Sequence, residues 1–249
     1  NLILGDSYSS IGVCYQLLTK YNKSSDAFKE SIPYYIEVGL HLGLIYSYIT
    51  FNYEMLKDAP NSIKYCNKSI NSYTAVGDSS SIAERYYELG YIYRLGANDY
   101  KLAIESYSIA HDIYLSLGLE EKRIEAYNDL ALSVGLLGEE YFNAGDYPNA
   151  RAYLEQFMEY DTMDHDLESY VFSMQYLCAS YLRTGEIEKS LLLSDKLMEL
   201  ADAHNLVAFK VSGPLIIGFP LLMFGRFEEG LDIMLSSLDF LNNYEPSEP

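Results

Sequence analysis

The sequence predicts an all-α chain, a right-handed superhelical solenoid of about six antiparallel helix pairs. Three observations carry this. Small residues recur just before large ones on a lattice of roughly forty residues. A second run of small residues follows each first hit after twelve to fifteen residues. Between the two runs lies a short stretch rich in Gly, Asn, Asp or Pro, the residues of tight helix-to-helix turns.

The first run is Gly12, Thr50, Gly90, Gly138, Cys178 and Gly218, at intervals of 38, 40, 48, 40 and 40 residues. Ile or Leu precedes each one: Ile11, Ile49, Leu89, Leu137, Leu177 and Ile217. Three residues after each stands Tyr15, Tyr53, Tyr93, Tyr141, Tyr181 or Leu221. The second run is Ala27, Ser62, Ala103, Ala150, Ser190 and Gly230. Two antiparallel helices come close only where a small side chain faces a large one, so each Gly or Ala is expected to receive a neighbour's ring or Leu. One pair cannot bury its apolar stripe alone, so pairs stack. The 26 tyrosines fit this use, with a buried ring and a hydroxyl that reaches solvent or a carbonyl.

In chain order, the pairs are expected at 2–20 with 24–38, 40–57 with 60–76, 80–96 with 99–117, 120–144 with 147–160, 166–184 with 187–204, and 206–224 with 227–243. The corresponding repeats are 1–39, 40–78, 79–118, 119–162, 163–205 and 206–243. Residues 244–249 read as a linker-like tail toward a missing C-terminal region. Asp78 is expected to cap the third pair, and Asp164 or Asp166 the fifth. The 48-residue step predicts an unusually long helix from Glu120 to Asn143, with a local irregularity. The last pair opens on "VSGPLIIGFPLLMFG" (211–225), bracketed by Lys210 and Arg226. It is shorter than the about 20 apolar residues a bilayer span needs, which argues against membrane insertion. Two readings of it stand. Either Pro214 and Pro220 kink the helix into the core, or Leu215, Phe219, Met223 and Phe224 form a docking surface for a missing domain or a second subunit.

The stretches "LGYIYRLGANDYKLAIESYSIAHDIY" (89–114) and "LGEEYFNAGDYPNARAYLEQF" (137–157) resemble the tetratricopeptide repeat. "LCASYLRTGEIEKSLLLSDKL" (177–197) resembles it less closely, and the first, second and last units are degenerate. The pitch is nearer forty residues than the usual thirty-four. It is similar to the longer-helix variants of kinesin light chains, bacterial peptide-pheromone receptors and bacterial signalling arrays. The resemblance implies that the first helix of each pair lines a concave surface. On that face fall Phe51, Tyr87, Tyr91, Arg94, Glu139, Phe142, Asn143, Gln175 and Arg183. An apolar and aromatic floor with a few polar posts suits a peptide or a helix laid in a groove. A chaperone-binding carboxylate clamp is disfavoured, because Val13, Phe51, Tyr91, Ala179 and Phe219 stand where its asparagines would fall. The implied role is the sensing or regulatory interaction region of a larger bacterial signalling protein. The alternative is an assembly scaffold that self-associates, as a homodimer, through its C-terminal pair.

Composition narrows the classes further. Hydrophobic residues make up 49% of the 249, which fits a folded chain. A formal charge of −19, without a Lys/Arg cluster, argues against nucleic acid and against an anionic membrane surface. Cys14, Cys66 and Cys178 are odd in number and far apart; buried, inert thiols in a reducing, cytoplasmic setting are expected. No phosphate loop, zinc motif or nucleophile elbow is present, so no enzyme, metal or cofactor is expected. His41, His111, His165 and His204 stand alone in sequence. His165 among Asp161, Asp164 and Asp166 reads as a solvated loop before it reads as a cation site. Glu120–Glu121 and Glu139–Glu140 read as solvent faces or caps.

Overall fold

The computed structural model describes residues 1–160 and 167–243, with the side chain of Pro220 left aside. Among them the chain is helical throughout, without strands. The helices are α1 (Leu2–Leu17), α2 (Tyr21–Glu37), α3 (Gly43–Met55), α4 (Ala59–Val76), α5 (Ser79–Tyr91), α6 (Tyr100–Leu117), α7 (Glu120–Asn143), α8 (Tyr147–Glu159), α9 (Leu167–Arg183), α10 (Ile187–Ala203), α11 (Val207–Met223) and α12 (Phe227–Asn243). Their contacts divide the chain into two compact units, 1–133 and 134–249. In the first, α1 packs on α2, α3 on α4 and α5 on α6, with α2 against α3 and α4 against α5. In the second, α9 packs on α8 and α10, and α11 on α10 and α12. The boundary falls inside α7, the helix whose length the 48-residue step predicted.

The close approaches lie where the small-residue lattice places them. A methyl group added at Gly90 would meet the Tyr107 ring at 2.8 Å, and one at Gly138 would meet Leu154 at 2.7 Å. Tyr107 and Leu154 each lie four residues beyond the small residue of the second helix, one turn along, and both are fully buried. The first pair corrects the register. Its second small position is Ser24 rather than Ala27: the Ser24 hydroxyl donates to the Gly12 carbonyl at 2.8 Å, and Phe28 fills the Gly12 gap. Ser190 makes the same bond to the Cys178 carbonyl, also at 2.8 Å and also twelve residues on. Ala27 stays in the core, one face over, which is why composition alone could not separate the two.

Turn chemistry explains where the helices begin and end. Asp58, Asp78, Asp99 and Asp146 cap α4, α5, α6 and α8, each accepting from the backbone N–H three residues on. In five hairpins the residue five after the lattice Tyr or Leu donates back to that residue's carbonyl: Lys20 to Tyr15, Asp58 to Tyr53, Asp146 to Tyr141, Glu186 to Tyr181 and Arg226 to Leu221. In the third hairpin Asp99 reaches Tyr93 across six residues. Gly90 to Ala103 is thirteen residues where the others are twelve, and the extra residue is absorbed by a π-helical turn at Ile92–Ala97. The α-helix therefore stops at Tyr91, short of the expected residue 96, and Asn98 closes the turn with φ 54.

Cys66 and Cys178 are buried and Cys14 is exposed. Burial pushes the Cys178 thiol up to about 12, so it stays protonated and packs as a small apolar group. α11 runs unbroken through Pro214 and divides its apolar residues. Phe209, Ile217 and Leu221 are buried, while Leu215, Phe219 and Met223 are exposed, so one side of the helix packs into the core without the kink expected at Pro214 and the other faces outward. The Asp164/Asp166 cap, the His165 cluster and the 244–249 tail lie outside the described residues.

Candidate functional site

The residues placed on the first-helix faces end up in two different environments. In the first unit, the hydroxyl of Tyr87 (α5) donates to Asp129 Oδ2 at 2.5 Å, and the Arg94 guanidinium, in the π turn, donates to Asp129 Oδ1 at 2.8 Å. Arg94 Nε reaches the Tyr107 hydroxyl at 3.4 Å, and the Tyr87 ring lies edge-on to that of Tyr107 at 5.4 Å. Burial first, then the Asp129 carboxylate, raises the Tyr87 hydroxyl far above its ordinary range. These side chains tie α5 to α7. Phe51 stays exposed, edge-on to Tyr21, and Tyr91 is exposed between two recesses of about 360 and 400 Å³.

Two half-buried acids, Glu54 and Glu88, line these recesses. Burial drives the Glu54 carboxyl up to about 8, with repulsion from Glu88 adding to it and Arg85 opposing. Burial likewise raises Glu88 to about 7 against the pull of Arg85, its ion-pair partner. Cys66 donates to the Arg85 carbonyl at 3.2 Å in the same cluster. Near pH 7 Glu54 is therefore mostly a neutral acid. A site made of such groups holds protons readily and offers little to a cation.

The second unit holds an open groove of about 570 Å³ between the end of α7, α9 and α11. Phe142, Gln175 and Arg183, expected on the concave face, line it together with Ala179 and with Leu215 and Phe219 of the candidate docking surface. Rings run along it in sequence of contact: Tyr147 to Phe142 at 5.3 Å, Phe142 to Tyr176 at 5.2 Å, Tyr176 to Phe172 at 5.8 Å and Phe172 to Phe209 at 5.6 Å. Gln175 is buried in the floor and donates to Ser212 at 3.0 Å. Arg183 is the one charged lining residue among the described residues, exposed and stacked over the Tyr147 ring at 5.8 Å. Glu139, whose carboxyl burial raises to about 7 despite the Ser173 hydroxyl, adds no firm charge nearby. Met223 and Phe224 are exposed but outside the lining, and Asn143 is exposed at the end of α7.

Sequence reasoning missed Phe172, Tyr176, Ala208, Ser212 and Ile216. It took one row of each first helix, three before and one and five after the lattice residue. A groove between two first helices also exposes the adjacent row, two and six residues before it, where Tyr176, Phe172, Ile216 and Ser212 stand. It also missed Asp129, an ordinary acid in an acidic helix. His111 contacts its sequence neighbour Asp112 at 3.1 Å, with the His111 ring tilted against Tyr127. Among the described residues no group of His, Cys, Asp or Glu could hold a metal ion, and no helix is long and apolar enough to cross a membrane.

The family model described as "Soluble NSF attachment protein, SNAP" matches residues 5–182, well over half of the chain. The chain belongs to the soluble NSF attachment protein family. No curated protein matches it. Among solved structures, it is similar to a signal transduction ATPase with numerous domains from Pyrococcus horikoshii that carries a tetratricopeptide repeat sensor. That match has 18% identity and a TM-score of 0.54, and covers 97% of this chain and 37% of that one. The chain thus spans little more than a third of that protein's length. It is also similar to aspartyl phosphate phosphatase F of Bacillus subtilis, at 14% identity and TM-score 0.48, covering 99% of this chain and 64% of that one. The TPR2AB domain of yeast Sti1, solved as a complex with pHSP90, gives 14% identity, TM-score 0.40, and 95% and 90% coverage. The fold is a tetratricopeptide-like helical repeat, a class that generally mediates protein interactions.

Proposed function

We propose that this chain is a protein- or peptide-binding array whose occupant lies in the groove between α7, α9 and α11. The observation that carries this is the composition of that groove: a continuous path of rings and aliphatic side chains, with Gln175 in the floor and Arg183 at one end. Such a surface suits the apolar side of a peptide or amphipathic helix, with one acidic or carbonyl group placed to meet Arg183. The finer role proposed is sensing or regulation within a larger signalling protein, in which occupancy of the array shifts its conformation. Family membership adds a named protein to try, since the family is called after attachment to NSF.

The test is selection from a displayed peptide library, followed by titration of the recovered peptide and, separately, of NSF. Phe219→Asp and Tyr176→Ala are expected to weaken peptide binding at least about tenfold, roughly 1.4 kcal/mol, with helix content unchanged. Binding that survives both substitutions places the occupant elsewhere and defeats the proposal.

A further inference from the structure

Acids outnumber bases 36 to 17 in this chain, and its arginines are almost all paired. Five of the six meet a carboxylate: Arg85 meets Glu88, Arg94 meets Asp129, Arg123 meets Glu120, Arg151 meets Glu186, and Arg226 meets Glu188 and Glu229. Among the described residues Arg183 meets none. The acid nearest to it in sequence, Glu186, is taken by Arg151 on one oxygen and by Lys189 on the other. Arg183 lies instead over the Tyr147 ring, lining the groove between α7, α9 and α11. A guanidinium held flat in this way, with no carboxylate of its own, is placed to take one from an occupant of the groove.

A second observation comes from the groove floor. Gln175 is only 3% exposed, yet it lines the groove. Its Nε2 donates to the Ser212 hydroxyl oxygen at 3.0 Å. That leaves Gln175 Oε1 as an acceptor and the Ser212 O–H as a donor, neither with a partner among the described residues. A buried polar pair left half-bonded is costly, and an occupant that completes its bonds removes that cost. One acceptor beside one donor matches the N–H and C=O of an extended chain. A helix does not match, because its main-chain groups bond to one another. Gln175 and Arg183 stand eight residues apart on α9, about 12 Å along the axis, which an extended chain covers in about three to four residues.

We propose that the occupant is an extended peptide whose Asp or Glu side chain pairs with Arg183, about three to four residues from a peptide group bonded by Gln175 and Ser212. This rests on the groove reading above and narrows it to one conformation, one charge and one spacing. The rings of Phe142, Tyr176 and Phe172 take the apolar side chains of the same peptide. The acid is a side chain and not a chain terminus, because Ala179 and Phe219, where a clamp for a terminal carboxylate would place polar groups, are apolar. Salt weakens the Arg183 pair by screening it and leaves the apolar contacts in place.

The test selects a displayed random-peptide library, whose peptides have no free carboxyl terminus, separately on wild type and on Arg183→Glu. Wild type is expected to enrich Asp or Glu about three or four positions from an apolar cluster, and Arg183→Glu to enrich Lys or Arg there. In titrations, Arg183→Glu is expected to weaken the wild-type-selected peptide about ten- to a hundredfold. Replacing that peptide's acid with Lys is expected to restore binding to the variant to within about threefold of the original pair. N-methylation of each peptide group in turn is expected to weaken wild-type binding most at one position, at the predicted distance from the acid, and to matter little there in Gln175→Leu. The methylation scan on wild type stands whether or not Gln175→Leu folds. The same sequences recovered on both proteins overturn the proposal, as do bound peptides that turn helical and ignore N-methylation; in either case Phe219→Asp still weakens binding and the groove reading survives. Binding indifferent to Phe219→Asp, or a library that yields no binder, removes the groove reading and this proposal with it.

Discussion

The two units use the same hairpin and fill its first-helix face in opposite ways. In residues 1–133 that face carries, around α5, polar side chains turned on one another, Tyr87 and Arg94 on Asp129 and Glu88 on Arg85, while Phe51 and Tyr91 stay exposed. In residues 134–249 the corresponding face is a row of rings with little to bond to, Phe142, Tyr176, Phe172 and Phe219. A repeat fixes how helices approach and leaves the inner row free to vary. When that row is polar and self-paired it stabilises the stack; when it is apolar and unpaired it leaves area for something else to cover.

The largest effect expected from breaking this contrast is at the lattice itself. Tyr107→Ala removes a fully buried ring set against Gly90 and also the hydroxyl that Arg94 reaches, and is expected to cost about 4 kcal/mol in urea unfolding. Leu154→Ala, its counterpart against Gly138, removes apolar packing alone and is expected to cost about 3 kcal/mol. Equal or reversed costs would mean that the polar row adds nothing in the first unit.

Next in size is Asp129→Ala. Arg94 and Asp129 are largely shielded from solvent, and removing the carboxylate strands both Arg94 and the Tyr87 hydroxyl. A loss of about 2–3 kcal/mol is expected, with binding in the groove unchanged.

How much of this the sequence showed follows from the same division. The lattice, the turns, the long α7, the Asp78 cap and the burial of Cys66 and Cys178 are legible because each depends on residue size or a local hydrogen bond at fixed spacing. Partners across different helices are not. Asp129 lies 42 residues from Tyr87 and 35 from Arg94, with nothing nearby in sequence to mark it. The π turn did leave a trace, the thirteen-residue step from Gly90 to Ala103, which a count taken against the neighbouring pairs would have caught. The groove was half visible, because one row of each helix can be projected from periodicity while the second row depends on how far apart α9 and α11 stand.

A smaller effect, read against pH, sharpens the comparison. Glu54 and Glu88 in the first unit have carboxyls raised to about 8 and about 7, and Glu139 in the second to about 7. A raised carboxyl holds its proton in the folded state after the unfolded chain has released it. Its contribution is therefore full below the ordinary carboxylate range, near pH 4.5, and is lost as pH rises through 7 to 8. Stability is expected to fall over that window. Glu54→Gln should flatten the decline more than Glu139→Gln, since the first unit holds the coupled pair. An unchanged slope in Glu54→Gln would show that this carboxyl is not the one titrating.

The most direct test of the contrast is a side-by-side titration of one library-selected peptide against wild type, Phe219→Asp and Tyr91→Ala. Both side chains are exposed, one in the apolar groove and one on the polar face. The expected result is a loss of about tenfold or more in Phe219→Asp, with Tyr91→Ala within about twofold of wild type. The reverse order, or equal loss in both, would contradict the assignment of the binding surface to the second unit.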